Sequence, residues 1–228
     1  MTQQLALDIH LRDDFSFDSY LTSSNQQLAS ALSTLHSDYP LYFWGEAGSG
    51  KTHLLHALLN QYVSQGKTVS LLSLDGDERP ANKICEGLEQ CSLICVDTVD
   101  AIVGDSSWQQ ALFHLLNRTK QNGTHVAISA HCSPQHLDVF ADLQSRLAAS
   151  LIFEQQVLND DEKKTALQQR AKMRGLTLSD DVANYLVSRA QRDTHSLFSL
   201  LDRLDKFSMV KQRGLTVPLV KEVLFGVR

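Results

Sequence analysis

The amino-acid sequence predicts an α/β fold, a five-stranded parallel sheet sandwiched by helices, with a small all-helical domain after it. Three observations predict it. A glycine-rich loop, Gly45-Glu46-Ala47-Gly48-Ser49-Gly50-Lys51-Thr52, sits between an apolar run (Leu41 to Trp44) and a helical pattern (Leu54, Leu55, Ala57, Leu58). Five short apolar runs alternate with helix-period segments, the signature of strands joined by crossover helices. From Asn159 onward only the helical period remains.

Each element has a local reason. Thr22 to Asn25 is rich in capping residues, and Leu28, Ala31, Leu32 and Leu35 place one apolar face on the helix that follows. Pro40 separates that helix from the strand Leu41–Trp44. The helix after the glycine loop runs to about Ser64 and ends at Gly66. The run 68–74 is the second strand and Ala81–Leu88 a short helix. Ser92–Asp97 is the third strand, Trp108–Lys120 an amphipathic helix, His125–Ala130 the fourth strand and Leu151–Phe153 the fifth. Three domains follow: an arm over 1–12, a nucleotide-binding α/β domain over 13–158, and a helical domain over 159–228.

Composition narrows the function classes. Apolar residues make up 43% and charged residues 21%, as in an ordinary globular protein. A net charge of −5 lacks the basic excess of a protein that holds nucleic acid through phosphates alone. Cys85, Cys91, Cys95 and Cys132 have no CxxC spacing, so the expectation is reduced thiols in a cytoplasmic protein and no zinc site. No run reaches the ~18 apolar residues of a membrane span, and the N-terminus lacks a secretory pattern.

The spacing G-x-x-x-x-G-K-[ST] is the phosphate-binding loop, or Walker A pattern. Gly45, Gly48 and Gly50 let the backbone approach phosphate oxygens without a Cβ in the way. The loop N–H groups and the helix start face the anion. Lys51 suits the β and γ phosphates, and the Thr52 hydroxyl suits magnesium.

Ser92–Asp97 is an apolar strand ending in an acid, the Walker B pattern, so Asp97 would hold magnesium through water. An Asp at a strand end is also an ordinary turn or cap residue. Many hydrolytic phosphate-loop proteins carry a second acid next, to orient the attacking water. Here that residue is Thr98, and Asp100 is poorly placed to substitute, so turnover by this chain alone should be slow. Ser129 and His131, at the end of the fourth strand, should reach toward the γ-phosphate side.

Together these residues resemble the AAA+ ATPases, and more narrowly the branch of the bacterial replication initiator DnaA. Gly50-Lys51-Thr52-His53-Leu54-Leu55-His56-Ala57 is similar to the DnaA phosphate loop and its helix. The resemblance implies nucleotide contacts along Gly45, Glu46, Ala47, Gly48, Ser49, Gly50, Lys51, Thr52 and His53, with magnesium on Thr52 and Asp97. It also assigns His53 and His56 to helix packing, although their spacing would suit a metal. Phe15-Ser16-Phe17-Asp18-Ser19-Tyr20, followed by Asn25, resembles the segment that contacts adenine, which places Tyr20 and Leu21 near the base. Leu143-Gln144-Ser145-Arg146-Leu147 resembles the box bearing the arginine finger, so Arg146 would act on a neighbour's nucleotide. The family places an arginine in a lid helix to sense the γ-phosphate; here that position is His195, with Arg192 one turn earlier. Gln4, Leu5 and Leu7 resemble a sliding-clamp-binding motif, departing from it at Asp8-Ile9.

The resemblance implies a regulator of chromosome replication initiation that holds ADP (or ATP) with Mg2+, associates with the DNA sliding clamp, and stimulates hydrolysis of DnaA-bound ATP. It implies no sequence-specific DNA-binding domain and no membrane, and it admits a homo-oligomer. The alternative is an autonomous AAA+ ATPase acting as a helicase loader, clamp loader or remodeller, which needs turnover by the isolated chain. A small-molecule kinase is a weaker third reading, because the helical domain offers few arginines for a substrate pocket.

Overall fold

A computed structural model of the chain describes residue 17 and residues 23–76, 81–189, 194–211 and 213–225, without the side chains of 23, 194, 195 and 225. Two compact units result. The first holds 27–45 and 51–155; the second holds 156–228 together with the short segments 18–26 and 46–50.

The first unit is built on five parallel strands: β1 (Leu41–Trp44), β2 (Val69–Ser73), β3 (Leu93–Asp97), β4 (His125–Ala130) and β5 (Leu151–Glu154). Their order across the sheet is β2-β3-β4-β1-β5. The central strands are mostly apolar because both faces are covered, and every residue of β3 is buried. The edge strand β5 is partly open, with Leu151 44% exposed. Helices α1 (Gln26–Ser33), α2 (Lys51–Ser64), α3 (Ser106–Asn122) and α4 (Ala141–Ala148) complete this layer structure. One side of the sheet packs Tyr42, Ile94, Val96 and Ile128 with Trp108, Leu112 and Leu143. The start of α3 is fixed by Asp105, whose carboxylate accepts from the N–H groups of Ser107 and Trp108. The helix expected over Ala81–Leu88 is instead two 3-10 turns, Asn82–Cys85 and Leu88–Gln90. Gly87 lies between them in the left-handed region at φ 83, where a right-handed helix cannot continue.

The second unit packs α5 (Asp160–Met173), α6 (Asp180–Arg189), α7 (Thr194–Lys211) and α8 (Val217–Phe225) around Leu167, Leu186, Leu201, Leu204 and Val220. A capping box opens α5: the Asn159 side chain accepts from Glu162 N–H, and the Glu162 carboxylate accepts from Asn159 N–H. Asn25 belongs to this unit. Its amide donates to Gln156 O and accepts from Gln156 N–H, both at 2.9 Å. Asn25 is 2% exposed, so its side chain is committed to the backbone at the entry to the helices.

Candidate phosphate-loop site

The glycine loop leaves β1 at the centre of the sheet. Gly45 N–H donates to Ala130 O at 3.2 Å, tying the first loop residue to the end of β4. Gly48 and Gly50 have φ of 76 and 98, a region that L side chains rarely occupy, so glycine is required at both. Ser49 N–H donates to Glu46 O at 3.3 Å and closes the turn. At the other end of the loop, Lys51 Nζ donates to Gly45 O at 2.8 Å. Lys51 is only 6% exposed. Burial pushes its ammonium below the usual lysine value, and the charges of Asp97 and Asp100 oppose that shift.

The Walker B acid faces the loop helix. Thr52 Oγ1 donates to Asp97 Oδ2 at 2.8 Å, and Ser129 Oγ donates to Asp97 Oδ1 at 2.5 Å. An exposed hydroxyl and a buried carboxylate this close form the hard oxygen donor set that suits magnesium. Thr52 and Asp97 would hold the ion, which supplies charge neutralisation to bound phosphates.

The chain then turns sharply. Thr98 has φ 59 and ψ 57, and it is the one positive-φ residue other than glycine among the described residues. A β-branched residue there is strained by roughly 1–2 kcal/mol. The turn has a use: Thr98 N–H donates to Ser129 Oγ at 2.9 Å, and the backbone enters a 3-10 turn over Val99–Ile102. That turn carries Asp100 to the residue after β4. Asp100 Oδ1 accepts from His131 N–H at 2.8 Å, and Asp100 Oδ2 pairs with His131 Nδ1 at 2.7 Å. Tyr42 lies beneath, donating its hydroxyl to Cys132 O at 2.8 Å. Burial pushes the Tyr42 phenol far up, so it stays a donor.

Arg146 lies in the last turn of α4, with its guanidinium donating to Asn117 on α3. It shares a depression with Tyr39, Pro40, Thr124 and Ala149. Pro40 and Thr124 immediately precede β1 and β4, so Arg146 is at the amino ends of the strands. Gly45, which opens the phosphate loop, is at their carboxyl ends, one four-residue strand of roughly 13 Å away.

The remaining expected contacts divide. His53 is buried on α2, and the described residues contain no group of three or more His, Cys, Asp or Glu side chains placed to hold a metal ion. His195 falls in the first turn of α7, but its side chain is outside the described set, as are Arg192, Tyr20, Leu21, Gln4, Leu5 and Leu7. The pairings Asp100–His131 and Arg146–Asn117 carry no local sequence signal, because each joins residues about 30 positions apart. The helical unit also holds a buried arginine that periodicity did not reveal. Arg170, 2% exposed, stacks over the Phe198 ring at 4.7 Å and approaches Asp202 at 3.5 Å. Among the described residues, no helix is long and apolar enough to cross a membrane.

Comparison with known proteins places these features in a family. The family model described as the bacterial DnaA ATPase domain matches residues 11–154, more than half of the chain. The model described as the Hda lid domain matches residues 160–224. An uncharacterized protein of Haemophilus influenzae is 41% identical over 229 residues, spanning 98% of this chain and 99% of its own. Among solved structures, domain III of Thermotoga maritima DnaA superposes with a TM-score of 0.77 at 18% identity, over 94% of this chain and 97% of that one. AMPPCP-bound DnaA from Aquifex aeolicus gives 0.70 at 22% identity, over 86% of this chain and 66% of that one. The Thermotoga maritima RuvB branch-migration motor gives 0.66 at 17% identity, over 92% and 72%. Identities this low establish the shared fold.

Proposed function

The chain belongs to the DnaA-related AAA+ family and carries an Hda-type lid, and from that membership we propose that it is a nucleotide-bound regulator of replication initiation that stimulates hydrolysis of ATP held by DnaA. One observation carries the reading. Arg146 and Gly45, the residue that opens the phosphate loop, lie at opposite ends of the same sheet. An arginine so placed cannot reach its own nucleotide, but it can reach one presented by a neighbouring AAA+ molecule. There it would stabilise charge in the transition state.

The chain's own loop then serves to hold a ligand. The nucleotide is ADP with Mg2+, kept in place by Lys51, Thr52 and Asp97, and it supports the conformation that presents Arg146. Thr98 supports slow turnover, since it offers no carboxylate where a second acid is usual. Association with the sliding clamp would run through Gln4, Leu5 and Leu7.

The test is hydrolysis of DnaA-bound ATP in the presence of DNA-loaded clamp. The wild-type chain accelerates it, and Arg146→Ala loses on the order of 10³-fold of that acceleration. Full stimulation by Arg146→Ala overturns the reading. Removal of residues 1–12 should abolish stimulation that depends on the clamp.

A further inference from the structure

We propose that a polar cavity at the amino ends of β2, β3 and β4 is a second ligand site, which binds the phosphate group of a small phosphorylated molecule through Lys67 and His125.

The cavity has a volume of about 410 Å3 and lies wholly within the first unit. Sites for small molecules span roughly 300–1,000 Å3, so there is room for a phosphate and a sugar-sized body. Strand order explains its place. Lys67 comes two residues before β2, Ser92 comes one before β3, and His125 opens β4. These three strands are neighbours in the sheet and run parallel, so their leading residues gather at one end. Asp97 closes β3 at the other end, one five-residue strand of roughly 17 Å away. The cavity is thus remote from the acid of the nucleotide site.

The lining sets the sign of the charge that a ligand needs. Glu89 is the carboxylate in the wall, and Arg118 already neutralises it, with Nε donating to Glu89 Oε2 at 3.0 Å. Burial raises the Glu89 carboxyl, but hydrogen bonds from its backbone and from Arg118 outweigh that and hold it below the usual value. Lys67 has no comparable partner. Its ammonium lies over the Tyr62 ring, 4.8 Å from the centroid, and it pairs with no carboxylate among the described residues. His125 supplies a second cationic position. Its Nδ1 shares a hydrogen bond with the Tyr62 hydroxyl, which orients the ring and leaves Nε2 for a ligand. Burial lowers the His125 pKa, and the charges of Lys67 and His36 lower it further. Positive charge is crowded here, and an anion relieves the crowding.

The main chain offers little to such a ligand. The N–H groups of Lys67, Ser92, Thr124 and His125 already donate to backbone oxygens. Recognition therefore falls to side chains. A phosphate monoester presents three terminal oxygens, which suit the donors of Lys67, His125 and the Gln90 amide. The Ser92 hydroxyl and the Asn122 amide oxygen suit hydroxyl groups on the attached body.

The charged and titratable groups about His125 are Tyr62 and Lys67 at the end of α2, His36 after α1, Glu89 and Cys91 before β3, and Arg118 behind Glu89. Burial raises both the Tyr62 phenol and the Cys91 thiol. Between pH 5 and 8 the histidines are therefore the groups of this set that change charge. A bound anion favours the imidazolium, so binding takes up a proton and affinity rises as pH falls.

The experiment is isothermal titration of the full chain, with and without excess ADP and Mg2+. The probes are ribose 5-phosphate, inorganic phosphate, ribose and sulfate. Ribose 5-phosphate should bind at one site whether or not ADP is present, and ribose should not bind. Inorganic phosphate should bind about 10-fold more weakly, because it leaves most of the cavity unfilled. At about pH 6, Lys67→Ala and His125→Gln should each weaken ribose 5-phosphate about 10-fold, as loss of a charged contact does. Lys67 is exposed, so its removal leaves the fold intact, and Lys67→Arg should retain binding. Sulfate keeps its charge across the pH 5 to 8 in which histidine titrates. Its affinity should rise on acidification in the wild type and stay flat in His125→Gln, which separates this ring from His36. Binding that disappears when ADP is added belongs to the glycine loop and overturns the proposal. Affinities of Lys67→Ala and His125→Gln within about twofold of wild type overturn it too, as does the absence of binding at millimolar probe. Equal affinity for inorganic phosphate and ribose 5-phosphate would assign the cavity to free phosphate instead of a phosphorylated molecule.

Discussion

The Thr52 hydroxyl and the Asp97 carboxylate meet at 2.8 Å, joining the first turn of α2 to the carboxyl end of β3. The bond is local in space but links residues 45 positions apart. It aligns two hard oxygens toward one point. Asp97→Asn keeps the shape and removes the charge. Its nucleotide affinity should fall 10- to 100-fold, the equivalent of about 1.5–3 kcal/mol for a lost charged contact. Chelating magnesium should lower the wild-type affinity similarly and leave Asp97→Asn unmoved. An equal response to chelation in both proteins would remove the metal role from Asp97.

Lys51 has opposing terms in its energetics. Burial disfavours its charge, while the bond to Gly45 O and the nearby carboxylates favour it. Lys51→Met therefore should move the thermal midpoint by only about 2–4 °C, as a change near 1 kcal/mol does in a chain of this size. Saturating nucleotide should stabilise the wild type by about 3 kcal/mol at 100 times Kd and leave Lys51→Met unshifted. Calorimetry with and without nucleotide reads both effects. A normal ligand-induced shift in the variant would show that the lysine does not hold phosphate.

Thr98 has a left-handed backbone without glycine's freedom. Relief of that strain and the added flexibility of the unfolded chain are of comparable size, about 1 kcal/mol each. Thr98→Gly should therefore be at least as stable as the wild type in urea unfolding. A loss beyond about 1 kcal/mol would mean that the threonine side chain contributes more than its backbone costs.

His125 opens β4 and shares a hydrogen bond between its Nδ1 and the Tyr62 hydroxyl, with the two rings edge to face at 5.7 Å. Burial lowers its pKa first, and the charges of Lys67 and His36 lower it further. Below the ordinary histidine range the unfolded chain takes up a proton that the folded chain refuses. Stability should thus be complete above about pH 6.5 and decline as pH falls toward the depressed folded value. His125→Phe should flatten that slope between pH 5 and 7 in denaturant titrations. An unchanged slope would assign the acid sensitivity to other groups.

Much of the architecture was legible because it depends on pattern. β1, β3 and β4 are buried on both faces, so they appear in sequence as largely apolar runs. The closeness of Thr52 and Asp97 was legible because the loop fixes one partner and the strand end fixes the other. The helix expected at Ala81–Leu88 failed on one residue, Gly87, whose positive φ interrupts it. The spacing of Asp100 from Asp97 gives no hint of its partner, since only the turn at Thr98 shows that its carboxylate meets His131. Arg170 was invisible for a different reason: arginine is ordinarily a surface residue, and its burial depends on Phe198 and Asp202.

The two bonds between the Asn25 amide and Gln156 have a consequence in time. The partners are 131 residues apart. On a ribosome adding 5–20 residues per second, Asn25 waits roughly 7–26 s for its partner to be made. During synthesis the Asn25 side chain must therefore wait without this partner until Gln156 has been made.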